Sequence, residues 1–295
     1  MEKEHVIEFR NVHKAFENFC LTNFSMNIKK GYVTGFIGGN GVGKSTIIKL
    51  MMNLLQPDSG EISIFGLGYK EHEKEIKQRI GFVLDDNIFY EELTLTEMKN
   101  FVKKAYVHWD EHVFQGYVQE FNLPLKQKIK TFSKGMKMKA SLTIALSHHA
   151  ELIIMDEPTS GLDPIFRREL MEMLHNLIQD GNKTIFFSTH NTTDLMNIAD
   201  YITFIHNGEH IFTKNFYEIE EQYAVVKGGL ELLDRDTEQE FIAIQKSPFG
   251  FEALTCNRKR VQDIFEDMVL IEKPTLEDIM YFTKKGLIRH AELNR

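Results

Sequence analysis

One short stretch, Gly38-Gly39-Asn40-Gly41-Val42-Gly43-Lys44-Ser45-Thr46, constrains this chain more than any other part of it. It follows Tyr32-Val33-Thr34-Gly35-Phe36-Ile37, which reads as a buried strand bounded by glycines. It precedes Ile47, Ile48, Leu50, Met51, Leu54 and Leu55, an apolar helix expected to run until Pro57 and the Asp58-Ser59-Gly60 turn. A strand that feeds a glycine loop into a helix start aims several backbone N–H groups at one point, and the helix dipole favours negative charge there. Residues 38–45 fit G-x-x-x-x-G-K-[ST], so the expected guest is a phosphate chain, with Lys44 reaching the outer phosphates and the Ser45 hydroxyl offered to Mg2+.

A second strand, Leu152-Ile153-Ile154-Met155, ends in Asp156-Glu157. Four apolar residues bury the strand and deliver two carboxylates at its tip, one (Asp156) suited to hold Mg2+ directly or through water and one (Glu157) to act as general base on a water. Between the motifs, residues 87–150 read as a helical insertion, with Met138, Leu142, Ala145 and Leu146 expected on one face of its last helix. Beyond them Asp163 caps a helix with Pro164 at its first position and Gly181 as terminator, Thr184-Ile185-Phe186-Phe187-Ser188 is another buried strand, and a hairpin turns at Asn207-Gly208. Buried strands alternating with helices imply an α/β fold around a mostly parallel sheet covered on both faces. Residues 216–295 read as a small α+β appendage whose last helix opens at Thr275 with a box-like cap.

Composition closes off other classes. At 295 residues the chain is about twice the ~150 of one typical domain, so a large domain of residues 1–215 plus an appendage is expected. The net charge of −8, with no long Lys/Arg run, argues against nucleic acid as a partner. Two distant cysteines, Cys20 and Cys256, suggest reduced thiols rather than a disulfide or zinc site. The charged start, Met1 through His5, leads into no apolar stretch, so no signal peptide is expected. No apolar run approaches the ~18 residues that span a bilayer, so work at a membrane is expected to go through partners.

The motifs, in their order, resemble the ATP-binding subunits of ABC transporters over about residues 5–215. Phe132-Ser133-Lys134-Gly135-Met136 resembles that family's signature loop, usually Leu-Ser-Gly-Gly-Gln, and lies 156 − 133 = 23 residues before Asp156. Ser160-Gly161-Leu162-Asp163 resembles the D-loop, and His190 after Phe187-Ser188-Thr189 the switch histidine. The resemblance implies a P-loop NTPase of the ABC ATPase type with antiparallel N-terminal strands and a helical insertion. It implies ATP and Mg2+ as cofactors, ATP hydrolysis, and contact of His190 with the γ-phosphate. It also implies a homodimer, or a heterodimer with a related ATPase, in which Ser133 and Gly135 touch the γ-phosphate held by the opposite subunit. Its partners would be transmembrane permease subunits, holding the chain in the cytoplasm at the inner face of the cell membrane.

Two positions depart from the family pattern. Phe16 stands where the family usually places a tyrosine that stacks on adenine; phenylalanine keeps the ring face, and an ordinary core aromatic is the other reading. Asp85, closing Ile80-Gly81-Phe82-Val83-Leu84-Asp85, stands where the family has the Q-loop glutamine. It is read either as a metal ligand or as a turn cap that leaves Asp86 or water to serve the metal. Such variants resemble a subgroup of bacterial exporters whose ATPase carries a C-terminal extension. Ile88-Phe89-Tyr90 is either a docking surface for a permease or part of the insertion's core, and the appendage either a dimer or regulatory contact or a passive cover. A soluble ABC-type ATPase acting on chromosome or ribosome and a non-hydrolysing nucleotide-dependent regulator are the competing functions. One set of motifs and the short insertion count against the first, and intact Lys44, Ser45, Asp156, Glu157 and His190 against the second.

Overall fold

The structure, a computed structural model, describes residues 4–84, 90–179 and 181–293. The chain divides into two compact units, Met1–Thr213 and Lys214–Arg295.

The first unit opens with β1 (His5–Ala15) and β2 (Cys20–Lys29), an antiparallel pair. Asn11 sits at a left-handed φ of 49°, where the register shifts between Phe9 and Val12. The extra residue bends the ribbon. β3 (Val33–Ile37) is buried throughout and leads into the glycine loop and α1 (Lys44–Met51). The apolar run predicts this helix as far as Leu55, but it stops four residues sooner. Asn53 takes φ 55°, a left-handed exit of the kind that ends helices, and Leu54 is left 62% exposed. β4 (Ser59–Ile64) and β5 (Leu67–Gly68) then complete a sheet in the order β2-β1-β4-β5.

α2 (Tyr69–Gln78) buries only Ile76 and precedes β6 (Ile80–Leu84). The insertion holds α3 (Leu95–Val102), α4 (Glu111–Glu120) and α5 (Lys134–Leu146). Thr94 starts α3 with a full capping box, its hydroxyl accepting from Glu97 N–H while the Glu97 carboxylate accepts from Thr94 N–H. Leu95, Met98, Phe114, Val118, Ala140 and Ile144 form the insertion's own core.

The single apolar face expected for α5 is not what the helix shows: every residue from 140 to 146 is buried. One side meets α3 and α4, and the other lies so close to β6 that a Cβ at Gly81 would stand 2.9 Å from the Ala145 carbonyl oxygen. Glycine at 81 is what permits this approach.

β7 (Leu152–Asp156), α6 (Pro164–Ile178), β8 (Thr184–Ser188), the short α7 (Thr192–Leu195), β9 (Tyr201–His206) and β10 (Glu209–Asn215) finish the main sheet, ordered β10-β9-β3-β8-β7-β6. β9, β3, β8, β7 and β6 run parallel. Leu152, Ile153, Ile154 and Met155 are all 0% exposed, each such side chain contributing about 1.5–3 kcal/mol of burial. That burial fixes β7 between β8 and β6, and so fixes where its carboxylates emerge. A tight turn with Asn207 and Gly208 at φ 47° and 78° joins β9 to β10.

The second unit runs α8 (Phe216–Gln222), β11 (Ala224–Gly228), β12 (Ala243–Ser247), β13 (Gly250–Thr255), α9 (Arg258–Phe265), β14 (Leu270–Glu272) and α10 (Leu276–Leu293). Its sheet, β12-β13-β11-β14, is antiparallel throughout. Ala224, Val226, Phe251 and Ala253 pack with Val261 and Phe265 of α9, while α10 lies against β12 and β13. No described helix is long and apolar enough to cross a membrane.

Candidate nucleotide site

The C-terminal ends of β3, β7 and β8 deliver their following residues to one cleft of about 540 Å³, lined by Phe16, Phe19, Gly39, Asn40, Gly41, Gly43, Lys44, Ser45, Thr46, Asp156, Glu157, Ser160 and His190. A pocket beyond the carboxyl ends of parallel strands is where such sheets bind ligands. The loop's shape needs positive φ at Gly41 (76°) and Gly43 (108°), and a Cβ at Gly41 would meet nothing within 4 Å, so the cradle stands open at that point.

Lys44 is 8% exposed, and its ammonium donates to the Gly38 carbonyl at 2.7 Å and to Gly39 at 3.2 Å. Burial pulls the lysine below its ordinary pKa, against the opposing pull of the Glu157 and Asp156 carboxylates. A buried cation that donates to two carbonyls and lines an open cleft is suited to receive anionic oxygens. The Ser45 hydroxyl and the Asp156 carboxylate, hard oxygen donors on the same cleft, fit a small divalent cation such as Mg2+.

Glu157 departs from ordinary backbone geometry. Its φ is 49°, and its N–H donates to the Ser188 carbonyl at 2.9 Å, which turns the chain sharply at the end of β7. Its Oε2 stands 2.6 Å from His190 Nδ1 and accepts from His190 N–H at 3.2 Å. The carboxylate suited to take a proton from water is thus tied to the histidine across the cleft.

Gly38 and Val42 lie outside the lining. Gly38 supplies the carbonyl under Lys44, and the Val42 carbonyl accepts from Gly208 N–H at 3.1 Å, so both hold the loop in place. Ser133, Gly135 and Asp163 also stand apart from this cleft. Ser133 caps α5, accepting from Met136 N–H at 3.2 Å, and Asp163 caps α6 through Ile165 and Phe166 N–H. The two loops meet each other: a Cβ at Gly135 would stand 3.1 Å from the Phe166 ring, and one at Gly161 would stand 3.1 Å from Lys134 Nζ. Asp85, Ile88 and Phe89 lie outside the described residues. Tyr90 is 63% exposed and meets the exposed Phe101 edge to face, not the insertion's core.

Sequence reasoning missed Phe19. It turns back so that its carbonyl accepts from Phe16 N–H, and its ring lies over Gly43 beside Phe16, with centroids 6.2 Å apart. Only the recurrence of an aromatic three residues on could have flagged it. Away from the cleft, His148 is buried, stacked on Tyr106, with Nε2 3.0 Å from the Ile80 carbonyl oxygen.

Sheet, loop and carboxylates together define a P-loop nucleotide-binding protein. Residues 21–160 match the family described as ABC transporter. The bacitracin transport ATP-binding protein of Bacillus licheniformis is 35% identical over 189 residues, which is 63% of this chain and 62% of that protein, so this chain matches less than two thirds of that relative's length. The lantibiotic transport ATP-binding protein of Streptococcus pyogenes is 32% identical over 222 residues, 72% of this chain and 91% of that protein. A solved ATP-binding subunit of an ABC transporter is similar with a TM-score of 0.67 and 28% identity, over 74% of this chain and 92% of that one. The chain belongs to the ATP-binding subunits of ABC transporters.

Proposed function

We propose that this chain hydrolyses ATP to power export of a peptide antibiotic through separate transmembrane permease subunits, to which it binds at the inner face of the membrane. The observation that carries the ATPase reading is the convergence of Lys44, Ser45, Asp156, Glu157 and His190 on one cleft. The cargo class and the outward direction rest on relatives named for bacitracin and lantibiotic transport.

In this reading the loop N–H groups and Lys44 bind the phosphates, Phe16 and Phe19 pack on the adenine, and Ser45 and Asp156 hold Mg2+, with Asp85 adding a carboxylate. Bound Mg2+ supplies neutralising charge at the phosphates. Glu157 takes the proton of the attacking water once its carboxylate leaves His190, and His190 turns to the γ-phosphate. Two ATPase subunits close face to face, Ser133 and Gly135 of each facing the nucleotide of the other. Exposed Tyr90 and Phe101 offer an aromatic surface to the permease.

Deleting the gene from its host tests this reading. Sensitivity to bacitracin-type peptides should rise, wild-type chain should restore resistance, and Lys44→Ala should not. Unchanged sensitivity to peptide antibiotics in the deletion strain refutes the cargo class.

A further inference from the structure

Glu157 and His190 join two chain segments, one running through the D-loop into α6 and the other into α7. The same segments approach each other a second time. Arg167 lies one helical turn past Asp163, its N–H donating to the Asp163 carbonyl at 3.0 Å. Asp194 lies four residues past His190 in α7, beside Leu195, which is fully buried and packs against Gly35 of β3, the strand that feeds the glycine loop. The Arg167 Nε stands 3.9 Å from Asp194 Oδ1.

This second approach is unfinished. The Asp194 side chain is only 7% exposed, and its Oδ2 has no hydrogen-bond partner among the described residues. The Arg167 Nε is also buried without one. Buried polar groups of this kind are normally satisfied, and a charged pair reaches its full strength at about 2.7–2.9 Å with a direct hydrogen bond. The gap is about 1 Å too long, which a small slide of α6 against α7 removes.

We propose that Arg167 and Asp194 are positioning residues for hydrolysis: the guanidinium closes onto the buried carboxylate as bound ATP is carried to the transition state, locking the segment that carries His190 to the segment that carries Glu157 and Asp163. In the open state the Glu157–His190 contact holds the two segments and the arginine pair stands apart. In the closed state the arginine pair holds them, so Glu157 is free to serve the water without the segments separating. Neither residue lines the nucleotide cleft, so neither contributes to binding ATP itself.

The inference rests on the ATPase reading, which wild-type hydrolysis above the level of Lys44→Ala establishes first; wild type at that level refutes both. The experiment then compares steady-state hydrolysis by the full chain as wild type, Asp194→Asn, Arg167→Gln, Arg167→Lys and the Asp194→Asn/Arg167→Gln double variant. Each neutralising single change should lower kcat about tenfold, and the double variant should be no slower than the worse single one, because the two act as one unit. Affinity for a non-hydrolysable ATP analogue should stay within about twofold, and Arg167→Lys, which keeps the charge, should recover part of the rate. Wild-type kcat in both singles, losses that multiply in the double variant, or analogue affinity that falls in step with kcat each overturns the proposal.

Discussion

Glu157→Gln separates what the carboxylate does for chemistry from what it does for the fold. Glutamine keeps the size and one oxygen, so the bond from His190 N–H and the left-handed turn at 157 persist. What disappears from the fold is a single charged contact at 2.6 Å to a histidine whose side chain is 60% exposed. Solvent screens such a pair to about 0–1 kcal/mol. For a unit of this size that lowers the melting temperature by at most about 2–4 °C. What disappears from the chemistry is the general base, usually about 10²–10⁴ in rate, or roughly 3–5 kcal/mol of barrier. The two effects differ by more than about 2 kcal/mol, so one variant resolves them. The assay is phosphate release at saturating Mg-ATP, with a melting curve and size-exclusion in Mg-ATP on the same preparation. Hydrolysis should collapse, the melting curve barely move, and a closed dimer accumulate. Hydrolysis within about threefold of wild type removes Glu157 as the base, since no general base is worth so little.

Lys44→Ala removes two carbonyl bonds and the one buried cation of the loop, so calorimetric titration with a non-hydrolysable ATP analogue should find affinity about 10- to 100-fold lower; unchanged affinity means that Lys44 does not meet phosphate. His148 is held below its usual value of about 6.5 by burial, as is His210. The unfolded chain therefore binds more protons than the folded one just below pH 6.5. Stability present above that value falls as pH drops, by up to about 1.4 kcal/mol per pH unit for each histidine. Urea unfolding at pH 7 and 5.5 should show this loss, and His148→Phe should make it shallower; an identical slope in that variant assigns the loss elsewhere.

The parts of the fold that chemistry constrains were legible in the sequence. A phosphate cradle demands glycines, a lysine and a hydroxyl at fixed spacing between a strand and a helix, and residues 38–45 could therefore be placed without further information. Packing constrained the rest less visibly. The end of α1 depends on one asparagine adopting a left-handed turn, which the apolar run through Leu55 conceals. α2 hid because only Ile76 of its ten residues is buried, and so few apolar positions do not mark a face in the sequence. The surface of α5 was misread because it is covered by the insertion's helices on one side and by β6 on the other, so apolar and small residues surround it. In the cleft, Phe19 escaped notice because nothing about a ring near a loop fixes its spacing.

Residues 91–94 lie beside the stretch that leads to Ser133. Ile129 N–H donates to the Leu93 carbonyl and Lys130 N–H to that of Glu91, Thr94 bridges to Lys128, and ion pairs join Glu92 to Lys128 and Lys130 and Glu91 to Lys137. Backbone bonds of this kind resist stretching, whereas a free loop yields. Force applied at Tyr90, were a permease to push there, would therefore reach the cap of α5 as displacement instead of being absorbed by slack chain. A permease bearing on Tyr90 would thus use the insertion as a stiff lever with Ser133 on its short arm, and softening the pairing at residues 128–130 would leave both ends intact while disconnecting them.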